Sequence, residues 1–283
     1  MNKLTEYQIR AMNEADCEST FKLSKTIGWG MTFVDWKQSL VYAKHTAFVA
    51  VHFGSVVAVA QGLVFEGKVR VANVIVHPDH RRKGLGTLLV SHLVDHIKSL
   101  GHQHLELSAS TLGLPIYKKL GFILGHEVMT WEKTLVLPQE QAKIKRLSKK
   151  SLEEIVKLDI QAFGHKRESL FASLADKTFV DITDGKVTGY LTLIAEEDGI
   201  RIGPWTHKNK EGAKKLFDQA LSSIENLKFQ NVIVTTNSNN PYVNDIVVGR
   251  GFHPAYISYQ MTIGNGNPIN PEIYYAISSL AEG

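Results

Sequence analysis

Cysteine is almost missing from this chain, with Cys17 alone among 283 residues. Its scarcity excludes an internal disulfide framework and a thiolate cluster for zinc, and it fits a reducing compartment. Cys17 stands among helix-favouring residues ahead of Phe21 and Leu23, with nothing nearby to lower its pKa, so it reads as a packing residue and not as a nucleophile. Long apolar runs are missing as well. No stretch approaches the roughly 20 residues needed to cross a bilayer, and the opening MNKLTEYQIRAMNEAD lacks the apolar segment of a secretion signal. The expectation is a cytoplasmic protein with no membrane partner. An excess of one charge is also lacking: 32 basic residues face 28 acidic ones. Through residue 140 the count is 15 basic against 12 acidic, and after it 17 against 16, so neither half is a basic nucleic-acid module. The densest positive stretch, Lys143, Lys145, Arg146, Lys149 and Lys150, has no interleaved aromatic residues to stack bases and reads as a solvated linker face. The 12 histidines are scattered. His92 and His96 share a helical face, but no glutamate accompanies them as a helical zinc site requires, so no metal is expected.

What is present is a globular composition, 43% hydrophobic and 21% charged, at a length suited to two domains. The periodicity predicts a helix over 14–26, a hairpin of His45–Phe53 and Ser55–Phe65 around Gly54, and a strand from Val69 to Val76. A helix from Gly84 to Ser99 follows, then a strand from His104 to Ser110, a short helix over Pro115–Leu120 and a strand from Ile123 to Trp131. From Ser151 the order restarts: an acid-capped helix, strands Thr178–Thr183 and Val187–Ala195 around the turn Asp184-Gly185, and a strand Ile200–Trp205. A helix Glu211–Leu227, a strand Asn231–Thr236 and a helix leading to Gly251-Phe252 complete it. Gly84 precedes Gly121-Phe122 by 37 positions and Gly212 precedes Gly251-Phe252 by 39, the spacing of a duplicated domain. The expected division is a first domain over 1–136, a linker over 137–149 and a second copy over 150–283.

The segment Val74-Ile75-Val76-His77-Pro78-Asp79-His80-Arg81-Arg82-Lys83-Gly84-Leu85-Gly86-Thr87 carries the chemistry. A buried strand runs through a basic glycine turn into a helix, an arrangement that cradles an anion: Gly84 and Gly86 let a ligand approach the backbone, and the helix start offers unpaired N–H groups. Arg81, Arg82 and Lys83 add positive charge. A Walker-type loop is excluded because the lysine precedes the glycine, and the dinucleotide G-x-G-x-x-G pattern is absent. Taken alone, the glycines are equally compatible with a basic turn that caps a helix and binds nothing.

Arg81-x-x-Gly84-x-Gly86 resembles the R/Q-x-x-G-x-G/A signature of the GNAT superfamily of N-acyltransferases. The segment from Ala109 through Tyr117-Lys118-Lys119-Leu120-Gly121-Phe122 is similar to that family's closing Tyr-x-x-x-Gly-Phe. The resemblance covers about residues 5 to 133. It implies an α/β fold with a mixed sheet, present as two tandem GNAT folds, and acetyl-CoA as cosubstrate. It further implies that Val74, Ile75 and Val76 pair with the pantetheine arm as an added strand would. The amides and side chains of Arg81, Arg82, Lys83, Gly84, Leu85, Gly86 and Thr87 would hold the diphosphate.

The implied reaction is direct attack by a primary amine of a small molecule or peptide on the thioester, in a ternary complex. Tyr117 is the expected general acid, since a matching tyrosine in relatives lies near the sulfur and a phenol with a pKa near ~10 stays protonated at neutral pH. It is also compatible with a core aromatic role. Some relatives place a glutamate on the strand equivalent to Val69–Val76, where this chain has Val71, Ala72 and Asn73. Glu66, Glu106 and His77 remain as alternatives for the base, as does an acceptor amine of low pKa that needs none. Gly28-Trp29-Gly30 with Phe33 and Trp36 fits either a lid or a packing corner. In the second half Asn209-Lys210-Glu211-Gly212-Ala213-Lys214 keeps one glycine and no arginine, and Val247 stands where the first half has Tyr117. That half is expected to buttress the first and to offer acceptor-side surface through Trp205, Tyr242 or Tyr256. A non-catalytic acyl-CoA sensor is the alternative function, and a monomer or homodimer the expected assembly.

Overall fold

The computed structural model describes residues 4–66, 68–134, 149–196, 199–224, 231–266 and 269–279. Its elements run β1 (Tyr7–Ala11), α1 (Cys17–Lys25), α2 (Phe33–Tyr42), β2 (Ala47–His52), β3 (Ser55–Phe65) and β4 (Lys68–Val76). Then come α3 (Leu85–Ser99), β5 (Leu105–Ser110), α4 (Leu114–Lys119) and β6 (Ile123–Thr134). The second series is α5 (Lys149–Phe163), α6 (Glu168–Leu174), β7 (Thr178–Thr183), β8 (Lys186–Ala195), β9 (Gly199–His207), α7 (Lys210–Ile224), β10 (Asn231–Asn237), α8 (Val243–Val248), β11 (His253–Ile263) and β12 (Tyr274–Ala276). Most of the expected linker, residues 137–148, lies outside the described residues. No helix among the described residues is long and apolar enough to cross a membrane.

The chain forms two compact units, and they do not follow the halves of the sequence. One takes Met1–Leu124 with Met261–Gly266; the other takes Gly125–Gln260 with Asn267–Ala281. The expected first domain, 1–136, therefore loses nearly all of β6 to the second unit. The cause is hydrogen bonding: β6 pairs antiparallel with β10 from Asn231↔Thr134 to Asn237↔Val128. In return the end of β11 lies beside β5, where Met261 is fully buried in the first unit's core.

In the first unit the strands run in the order β1-β2-β3-β4-β5, antiparallel up to β4 and parallel between β4 and β5. The β2–β3 hairpin turns at Phe53 and Gly54, both at positive φ (45° and 82°), the geometry that matches a right-handed strand twist. The helix α3 buries Leu85, Leu89, Val90, Leu93, Val94 and Ile97 against the sheet. Gly62 makes that approach possible, because a Cβ there would lie 2.7 Å from Ile97 Cδ1. α2 starts with a reciprocal cap between Thr32 and Asp35.

In the second unit the order is β11-β6-β10-β12-β9-β8-β7. Its β7–β8 hairpin repeats the same positive-φ turn at Asp184 (51°) and Gly185 (71°). α7 packs Ala213, Leu216, Phe217, Ala220, Leu221 and Ile224 into a core centred on Trp205. Trp205 is fully buried between Phe217 and Tyr275, each 4.7 Å away between ring centroids. That corrects the expectation that it offers acceptor-side surface, since a ring sandwiched on both faces has none left. Tyr242 and Tyr256 are exposed.

Candidate active site

β4 is bent by a bulge. Val59 faces Ile75 and Gln61 faces Ala72, so β4 carries one residue more than β3 over this step. The bend falls at Asn73, whose φ is 51°, a conformation asparagine tolerates better than most residues. In consequence, among the described residues β4 pairs with β5 at Val69↔Leu105 and Arg70↔Glu106 alone. Beyond that point the two strands part, and the β5-facing side of Val74, Ile75 and Val76 has no strand partner among the described residues. A slot is left with one backbone edge open, on the three residues the sequence singled out.

At its mouth lies the glycine turn. Arg82 (φ 59°) and Gly84 (φ 85°) both take left-handed backbone, which folds the chain tightly back before Leu85 begins α3. From Arg82 to Thr87 no backbone amide has a backbone acceptor among the described residues. These amides and the helix dipole make a positive, donor-rich end suited to a diphosphate. Arg81 and Lys83 serve the turn itself: Arg81 Nε donates to Val76 O at 3.0 Å and Lys83 Nζ to Asp79 O at 2.8 Å. Arg82 is exposed and takes no part in that bracing. A Cβ at Gly86 would sit 3.4 Å from Val76 Cγ2 and 3.8 Å from Ile116 Cδ1, ordinary contacts, so internal packing does not demand glycine there. Small size at 86 keeps the approach to the amides clear.

His80 stands behind the turn, with its Nδ1 2.9 Å from Tyr7 Oη. Burial, and after it the charge of Lys83 and the neighbouring His52 and His77, push its pKa down, so it is neutral at neutral pH. The positive charge of the turn therefore comes from arginine and lysine.

The other wall of the mouth is α4. Ile116 contacts the position above Gly86, and Tyr117 follows it. The Tyr117 ring is largely buried, edge-on to Phe122 at 5.8 Å between centroids. Gly113 gives it room, since a Cβ there would come within 3.0 Å of Tyr117 Cε2.

The base candidates are placed less favourably. Glu106 is buried and bonded to Lys68 Nζ (2.9 Å), Arg70 Nη1 (3.3 Å) and His104 Nε2 (2.9 Å). Burial opposes its ionisation, but the His104 hydrogen bond and the charges of Lys68 and Arg70 outweigh burial and hold it far below the usual carboxylate range. A carboxylate so held is a poor proton acceptor. His77 Nδ1 accepts from the Asp79 amide at 3.3 Å and caps the turn, while Glu66 lies exposed at the end of β3. Sequence reading passed over a buried amide pair at the bulge: Asn73 Nδ2 donates to Gln61 Oε1 at 2.6 Å, and Gln61 Nε2 reaches Met12 Sδ at 3.6 Å. Polar residues within apolar strands, at Gln61 and Asn73, were the signal.

Two side readings resolve by burial. Trp36 is fully buried with its Nε1 on Ser24 Oγ at 3.3 Å, a packing residue, while Trp29 and Phe33 are partly exposed. Cys17 is fully buried, and burial, then the charge of Glu14, raise its thiol pKa. The folded protein is expected to resist iodoacetamide at neutral pH and to react only after denaturation; rapid alkylation of the native chain, read by mass spectrometry, would contradict this.

Comparison with known proteins agrees with this geometry. Models of the acetyltransferase (GNAT) domain match residues 43–124 and again residues 155–276. No curated protein matches the sequence significantly. Among solved structures, a protein of Pyrococcus horikoshii named as a candidate acetyltransferase superposes with a TM-score of 0.79 at 16% identity, covering 98% of this chain and 96% of that one. A GCN5-related N-acetyltransferase from Sphaerobacter thermophilus gives 0.66 at 16% identity, covering 94% and 97%. A tandem GNAT protein from the clavulanic acid biosynthesis pathway gives 0.66 at 15%, covering 93% and 99%. At these identities the structures speak for the fold. With both family models, the bulged β4 and the open helix start in hand, the chain belongs to the GNAT acetyltransferases, a family of acyl transfer from acyl-CoA, and carries two such domains in tandem.

Proposed function

We propose that this chain is an acetyl-CoA dependent N-acetyltransferase whose first domain binds the donor and passes its acetyl group to a primary amine of a small molecule or peptide. The observation that carries the proposal is the open backbone edge of Val74–Val76 leading to the unpaired amides of residues 82–87. Acetyl-CoA supplies an activated thioester carbonyl. Val74, Ile75 and Val76 offer backbone groups to its amide-bearing arm, and the turn amides with Arg82 offer donors to its diphosphate. Arg81 and Lys83 shape the turn through their bonds to Val76 and Asp79. The amine nitrogen attacks the carbonyl carbon, the C–S bond breaks, and Tyr117 gives its phenolic proton to the departing sulfur. With Glu106 locked in ion pairs and neutral amides at the bulge, the acceptor amine reaches the site unprotonated; its surplus proton passes to solvent, and solvent returns a proton to Tyr117.

The same lack of a free carboxylate at the bulge among the described residues favours a second reading, a non-catalytic acyl-CoA sensor. Coenzyme A release with a broad panel of amines separates the two. Release with any amine supports the enzyme; binding without release throughout supports the sensor.

Donor binding itself is tested at Gly84. Left-handed backbone costs an L-residue about 1–2 kcal/mol, more when it is β-branched, and 1.4 kcal/mol is a factor of ten in affinity. Gly84→Val is expected to weaken acetyl-CoA binding at least ~10-fold in calorimetry. An unchanged affinity would remove the turn from the donor site.

A further inference from the structure

The second domain repeats the bulge. Leu191 faces Trp205 and Leu193 faces Ile202, so β9 carries one residue more than β8, as β4 does relative to β3, with the bend at Gly203-Pro204. As in the first domain, the parallel contact ends there: β9 pairs with β10 from Gly199↔Asn231 to Ile202↔Val234 and no further. Element for element, the slot between β9 and β10 corresponds to the one between β4 and β5.

It is filled. β12 runs between the separated strands, pairing with β9 at Tyr274↔Thr206 and Ala276↔Trp205 and with β10 at Thr236↔Ala276. Backbone bonds extend the fit at both ends: His207 N donates to Ile273 O at 2.9 Å, and Ile277 N to Thr235 O at 2.9 Å. Tyr274, Tyr275 and Ala276 are fully buried. The approach is so close that a Cβ on Gly203 would fall 2.0 Å from Ile277 O.

The helix end beside this slot is filled too. Asn209 Oδ1 accepts the Gly212 amide at 2.7 Å, and the His207 ring occupies the space above Gly212, where a Cβ would meet it at 2.0 Å. That ring is held by the Asn209 amide on Nδ1 (3.0 Å) and Asp181 Oδ2 near Nε2 (3.0 Å). Glu211 puts a negative charge in the first turn of α7, where a phosphate would be repelled.

We infer that β12 is a built-in occupant of the second domain's donor slot, closing it to acyl-CoA, so that each chain takes up one donor molecule and only in the first domain. The stoichiometry rests on the donor reading of the first domain; the seating of β12 does not. A thioester donor would have to strip β12 from both strands, expose Tyr274 and Tyr275, and displace His207 and the Asn209 cap.

The test uses the full-length chain and two measurements. Calorimetry with acetyl-CoA is expected to give one site per chain, and the Gly84→Val variant to lose that site with none remaining. Two sites, or an undiminished site in Gly84→Val, would overturn the inference. Hydrogen exchange with peptide resolution is expected to show residues 273–278 protected together with β9 and unchanged by saturating acetyl-CoA. Free exchange there, or exchange hastened by acetyl-CoA, would also overturn it. Zero sites in calorimetry would instead refute the donor reading of the first domain, and the exchange data would still decide whether β12 is seated.

Discussion

Tyr117→Phe is expected to lower kcat by ~10²–10⁴-fold, the usual contribution of a positioned general acid, while acetyl-CoA affinity stays within ~3-fold. Packing supplies the control. The Tyr117 ring lies edge-on to Phe122 in a buried cluster, and phenylalanine keeps that ring while removing only the hydroxyl. A thiolate leaving without a proton is the step that then slows, so the loss falls on turnover and not on binding. Initial rates with the best amine from the acceptor panel, set beside calorimetry, check both halves. Full turnover in the variant would leave Tyr117 as a core aromatic.

Glu106→Ala is expected to destabilise the first unit by about 3–5 kcal/mol, because it removes the carboxylate shared by two cations already taken out of water. Lys68 and Arg70 are 1% and 2% exposed, so solvent cannot replace the lost partner without opening the β4–β5 junction. Arg70 also donates to Ser108 Oγ at 2.9 Å, which fixes its direction but offers no charge. Urea unfolding of the variant against the parent measures the loss, and a change under about 1 kcal/mol would mean the ion pairs are not formed. The pH dependence carries the same signature with a definite sign. The folded pKa of Glu106 is depressed, so its contribution is full above the unfolded carboxyl value near ~4.3 and fades as pH falls below it. The parent is therefore expected to lose stability below about pH 4 more steeply than the variant.

How far the sequence alone reached differs between the parts of the site. The turn was readable because its chemistry is local: glycines at 84 and 86, three cations and a following apolar helix lie within one short run. The duplication was readable because element order and glycine spacing need no knowledge of partners. Asn73 shows the limit. Its place in β4 was plain, but its positive φ and its bond to Gln61 depend on a bulge that only strand pairing creates. Glu106 shows another, since a glutamate in an alternating strand reads as a surface group until Lys68, Arg70 and His104 are brought around it. β1 and β12 were not anticipated at all, and α2 only as a helical region around Phe33 and Trp36. β12 is three residues long and apolar on both faces, too short for a period to register.

By itself the sequence determined the repeated order of elements, the basic glycine turn of the first half and its erosion in the second, because these follow from backbone preference and periodicity over neighbouring residues. Tertiary structure decided which strands exchange between the units, that Trp205 is core, and that β12 fills the second slot. Alternation along a strand fixes which face is buried but not which edge it pairs with, and an open edge in a bulged sheet takes whatever strand the rest of the chain brings to it.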